Sequence, residues 1–64
     1  MKYYYLYDLE AQKGVNVKYS SNGALILYPS AKSAQRAIDY AKKHKYSDML
    51  RELGERLIIV EVWL

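Results

Sequence analysis

From Lys2 to about Leu9 the chain alternates two sets of large side chains, Tyr3, Tyr5 and Tyr7 on one side, Tyr4 and Leu6 on the other. Alternation with this aromatic content predicts a strand. The next residues, Asp8 to Gly14, predict a loop or one helical turn, with Asp8 as its N-cap and Gly14 as its stop. Val15, Val17 and Tyr19 then alternate with Asn16 and Lys18, which marks a half-exposed strand. Ser20-Ser21-Asn22-Gly23 follows, and Asn-Gly tolerates the positive φ angles of a tight type I′ turn. A hairpin is therefore expected, returning through Ala24-Leu25-Ile26-Leu27-Tyr28, a continuous apolar run of the kind found near a sheet centre.

Pro29 ends that strand and Ser30 can cap a helix. From Ala31 to about Lys45 the apolar positions Ala34, Ala37, Ile38 and Ala41 recur at helical spacing, with Lys32, Arg36, Asp39 and Lys43 opposite. An alanine stripe lets a helix lie close to a sheet and is expected to leave room for tyrosine. Ser47 caps a short second helix with Met49, Leu50 and Leu53 inward and Gly54 at its C′ position. A last strand runs from Arg56 to Leu64. The order β-β-β-α-(short α)-β predicts an α+β fold, a two-layer sandwich with one mostly antiparallel four-stranded sheet and helices on one face. The last strand is expected beside the first, its direction left open by the choice between a one-helix and a two-helix crossover.

The first and last strands are apolar on both faces, and such strands need cover on both sides. Helical material suffices for one side. Tyr5 and Tyr7 are expected above the alanine helix, with Ile58, Val60, Val62 and Leu64 as their core companions. Tyr4, Leu6, Leu57, Ile59 and Trp63 are then left as a protein-binding surface. A register slipped by one residue exchanges the two faces, and both sets are apolar in either case.

Sixty-four residues predict a single small domain, and a chain this short buries only about 60% of its unfolded surface. The chain has no cysteine, which excludes disulfides and thiolate metal sites and makes a reducing cytoplasm the expected compartment. Small domains without such staples rely on association or on dense packing. Eight tyrosines and no phenylalanine suit half-buried positions and contact surfaces. The start of the chain lacks an apolar signal region, and the run Leu57 to Val60 is far short of the ~20 residues of a membrane span. No membrane association is expected. A net charge of +3 argues against an acidic mimic of DNA and allows weak attraction to polyanions.

Gly23 to Tyr28, then Ala34-Gln35-Arg36-Ala37-Ile38, then Leu57 to Val62 resembles the second half of a ferredoxin-like or RNA-recognition-motif domain. The resemblance implies the α+β class. It does not imply base stacking, because aliphatic Leu25 and Leu27 stand where that family carries its aromatic pair. In size and lack of motifs the chain also resembles the small accessory and inhibitor proteins of phages and mobile elements.

Chemistry-bearing residues are sparse. His44 is the only histidine and has no second ligand in sequence. The carboxylates are scattered, and neither a phosphate-binding loop nor a dinucleotide fingerprint is present. No catalytic residue, cofactor, metal or small-molecule substrate is inferred, and the chain is not expected to be an enzyme. The expected function is a protein-binding module: a homodimer, or a small inhibitor or adaptor of a larger protein, using its uncovered sheet face or an edge strand. The alternative is a nucleic-acid-binding accessory domain using Lys32, Arg36, Lys42, Lys43 and Lys45. A solvated helix face is the simpler account of those lysines, and any such binding should be weak.

Overall fold

A computed structural model describes the chain from Met1 to Leu64 except for Tyr19 and Ser21. Strand β1 (Lys2–Asp8) lies in the middle of a three-stranded sheet, between β2 (Lys13–Val15) and β3 (Leu57–Trp63). Both pairings are antiparallel, with Leu6 opposite Val15 on one side and opposite Ile59 on the other. Helices α1 (Ala31–Lys42) and α2 (Asp48–Arg56) connect the first two strands to the last. This is a small α+β fold. The last strand does lie beside the first, and its direction is antiparallel, so the two helices together make the return.

The expected fourth strand is reduced to one bridge, in which Tyr28 and Tyr4 exchange backbone hydrogen bonds of 2.9 and 2.7 Å. Asn16 accounts for the loss. Its side-chain amide donates to the Ala24 carbonyl and accepts from the Ile26 N–H, both at 2.8 Å. A side chain thus occupies backbone groups that a ladder would need. The hairpin turn keeps a bond from the Gly23 N–H to the Ser20 carbonyl, with Gly23 at φ +71°. The rest of that expected turn and the end of the Val15–Tyr19 strand fall on Ser21 and Tyr19, outside the described residues. Of the three segments that carry the resemblance, Gly23 to Tyr28 forms no strand, whereas the helix and the last strand are formed.

Between β1 and β2 the chain makes the expected turn, with Asp8 in its expected capping role and Gln12 in place of Gly14. The Asp8 carboxylate accepts from the N–H groups of Glu10 and Ala11, and Gln12 takes the left-handed φ of +57°. Gly14 is free of that role. It lies in β2, where a Cβ would come within 2.9 Å of Leu25.

Helix α1 starts as expected, with the Ser30 Oγ accepting from the Ser33 N–H. It buries the alanine stripe and Ile38, and ends three residues early at Lys42. Ser47 caps α2 by accepting from the Leu50 N–H. Gly54 does not stop α2; it lies inside the helix, where a Cβ would sit 2.9 Å from the Lys42 backbone nitrogen. It therefore lies at a close approach of the two helices. Met49, expected inward, is 80% exposed.

The core joins Leu6, Ala34, Ala37, Ile38 and Leu57, with Tyr4, Val15, Val17, Tyr28, Leu53 and Ile59 packed around them. Both helices therefore cover the Leu6 face of the sheet. This reverses the sequence expectation: Tyr5 and Tyr7 do not lie above the alanine helix. The alanine stripe brings the helix backbone so near that Leu6, Leu57 and Ile59 suffice to fill the layer. Tyrosines there would bury their hydroxyls, at a cost of about 1–3 kcal/mol for each one left unpaired. Tyr28, at the rim of this core, shows the problem, since its hydroxyl is buried without a partner among the described residues. Burial also pushes its pKa above the usual 10.0.

Candidate functional site: an open sheet face and a free strand edge

Because β1 and β3 pair antiparallel, successive residues of β3 direct their backbone groups alternately toward β1 and away from it. The bonds that flank the strand fix which is which. Leu64 donates to the Met1 carbonyl, and Arg56 accepts from the Leu9 N–H. Ile58, Val60 and Val62 lie in the same phase and bond to β1. The N–H and C=O groups of Leu57, Ile59, Glu61 and Trp63 therefore point outward, and no described residue bonds to them.

Exposed strand edges are commonly blunted by lysine, proline or a bulge. The β3 sequence, Leu-Ile-Ile-Val-Glu-Val-Trp, contains no lysine, proline or glycine, and Glu61 is its one charge. Trp63 is 69% exposed, with Nε1 donating to the Glu61 carboxylate at 2.8 Å and the Lys2 ammonium 5.4 Å from its ring. Next to this edge lies the sheet face without helical cover, made of Tyr3, Tyr5, Tyr7, Ile58, Val60 and Val62. Each tyrosine stands directly across from one of the aliphatic residues, and the valines are half-buried while Ile58 is 42% exposed. Leu25 extends the face over Gly14.

Of the surface residues expected from sequence, Trp63 alone is in the open. Tyr4, Leu6, Leu57 and Ile59 lie on the helix side, Leu6 being fully buried and the others packed in or around the core. The open face is the one formed by the opposite alternation. Two signals mark it in the sequence. Tyr3, Tyr5 and Tyr7 carry hydroxyls that water can satisfy, and Asp8 falls in the same phase as Leu6 and needs a buried partner.

That partner is Arg56, at the junction of α2 and β3. Its Nε and Nη2 donate to the two Asp8 oxygens at 3.3 Å each, and Nε lies 3.2 Å from Glu10. The hydrogen bond from Arg56 holds the Asp8 carboxyl below its usual 3.8, against the opposing effect of burial and with help from the Ala11 and Glu10 N–H groups. The same contact raises the Arg56 guanidinium. This clamp sets where β3 begins, and so which of its groups face outward.

The basic residues divide. Arg36, Lys43 and Lys45 surround a wide cleft of about 640 Å³ with Asp39, Tyr40, His44 and Tyr46. Tyr40 and Tyr46 meet the His44 ring edge to face at 5.8 and 6.2 Å, and the Lys18 ammonium lies 5.8 Å from the Tyr40 ring. Tyr46 is 91% exposed. Lys32 is exposed one turn before Arg36, while Lys42 stands beside Gly54 at the helix contact. Among the described residues, no group of three or more His, Cys, Asp or Glu side chains could hold a metal ion. No helix among them is long and apolar enough to cross a membrane.

Compared with known proteins, the chain matches no family model, no curated protein and no solved structure.

Proposed function

We propose that this protein is a non-enzymatic protein-binding module that takes a second polypeptide along the free edge of β3. The unpartnered backbone groups of Leu57, Ile59, Glu61 and Trp63 carry this reading. An added strand gains main-chain hydrogen bonds there, and its alternate side chains reach the open tyrosine face on one side and Trp63 on the other. Such a module acts as a homodimer subunit, or as a small inhibitor or adaptor of a larger protein. The lack of cysteine fits a reducing cytoplasm.

The test is backbone amide exchange on labelled protein, dilute and then concentrated or mixed with extended peptides. Association should slow the amides of Ile59, Glu61 and Trp63, which are unbonded in the free chain. Association that leaves those amides exchanging at their former rate would place the surface elsewhere.

A second reading is favoured by the cleft around Tyr40, His44 and Tyr46. Cations along a groove together with exposed aromatic rings are the features that hold single-stranded nucleic acid. Asp39 inside the cleft opposes it.

A further inference from the structure

We infer that the strand which completes the sheet is β3 of a second copy, paired antiparallel about a two-fold axis at Val60. This rests on the edge reading above and names its partner. Only outward-pointing residues can exchange hydrogen bonds across the new seam, so the two-fold can fall at Ile59, Val60 or Glu61 if the strands are to overlap well.

Centring on Glu61 sets the two Glu61 carboxylates directly opposite each other, which is destabilising. Centring on Ile59 sets Trp63 against Glu55, which lies within α2 and cannot offer strand geometry. Centring on Val60 pairs Leu57 with the copy's Trp63 and Ile59 with its Glu61, and the reverse. All the outward N–H and C=O groups of β3 then find partners. The Glu61 carboxylates move to diagonal positions, where each is also held by its own Trp63.

Side chains agree with this register. On the open face Val60 meets Val60 of the copy, and Ile58 meets Val62. On the helix side the exposed Trp63 ring is laid beside Leu57, at the margin of the other copy's core. The product is a continuous six-stranded antiparallel sheet with the tyrosine faces of both copies on one side. A strand that matches itself over its whole length, with no lysine or proline to prevent pairing, favours a second copy over an unrelated segment.

Cysteine cross-linking reads the register directly, since the natural chain has no thiol. Val60 would face its own copy in a non-hydrogen-bonded pair, where Cα atoms are about 4.5 Å apart and a disulfide of roughly 4.4–6.8 Å span fits. In a glutathione buffer Val60→Cys should become mostly covalent dimer. Ile58→Cys or Val62→Cys alone should not, because each lies about 13 Å along the strand from its own copy. An equal mixture of those two variants should cross-link. The parent should sediment at twice the chain mass, and Glu61→Pro, which removes an outward N–H, should sediment as a folded monomer. A monomeric parent, or a Val60→Cys that yields no more covalent dimer than Ile58→Cys, overturns the inference. If the Ile59 and Glu61 amides are nevertheless protected by an added extended peptide, the edge reading survives and only self-pairing falls. If they are not, both fall.

Discussion

Asp8 is one charged residue among the buried positions of a small core, and its burial is tolerable only because Arg56 meets it with two hydrogen bonds. The folded carboxyl titrates below its ordinary 3.8. In that window the unfolded chain holds more protons than the folded one. The stabilisation is therefore complete above the ordinary value and is lost as pH falls through the lowered folded value. Replacing Asp8 with Asn removes the charge while keeping the shape. Its thermal midpoint should be lower at neutral pH, and its decline in acid should be shallower than the parent's; melting curves across the acid range check both. Parallel curves for the two proteins would mean that Arg56 contributes nothing through this pair.

Among the elements, the helix pair depends on Gly54. An alanine there gains about 1 kcal/mol of helix propensity. Its methyl would sit 2.9 Å from the Lys42 nitrogen and 3.1 Å from the Ala41 Cβ, and overpacking of that kind costs about 1–3 kcal/mol. The second effect is larger because the nearest atom is backbone. Gly54→Ala should lose roughly 1 kcal/mol in a denaturant titration with little change in helix content. A gain in stability would show that α2 shifts away from α1 at no cost. Strand β3 is fixed at both ends, by the Asp8–Arg56 clamp and by the Leu64–Met1 pairing. Its outward groups are therefore held in one phase and do not slide.

At the scale of the whole molecule, two surfaces compete for a macromolecular role. The edge of β3 leaves backbone groups unpaired, whereas the basic cleft leaves only well-hydrated side chains in water. The first needs a partner; the second merely permits one. If the cleft does take single-stranded RNA or DNA, affinity should fall steeply with added salt, and Lys43→Glu should abolish binding while leaving β3 association intact. A fluorescence titration at two salt concentrations decides this, and no binding at low salt removes the second reading. The sequence shows the basic residues but not their grouping, because α1 ends at Lys42 and the turn that follows brings Tyr46 back toward Tyr40.

The alternation in β1 and β3, the alanine stripe of α1 and the serine caps are local patterns, and the chain alone determines them. They set the succession of β1, the two helices and β3, the neighbouring of the first and last strands, and the presence of a second apolar sheet face. Tertiary structure alone decides which face that is. The choice turns on the thickness of the layer beneath α1, which admits Leu6, Leu57 and Ile59 and leaves the phenols of Tyr3, Tyr5 and Tyr7 to the other side. It also decides that Ala24–Tyr28 makes one bridge, because Asn16 reaches across to its backbone. The phase of β3, with Leu57, Ile59, Glu61 and Trp63 facing outward, likewise comes from long-range pairing, since no residue's own preference sets the direction of its N–H.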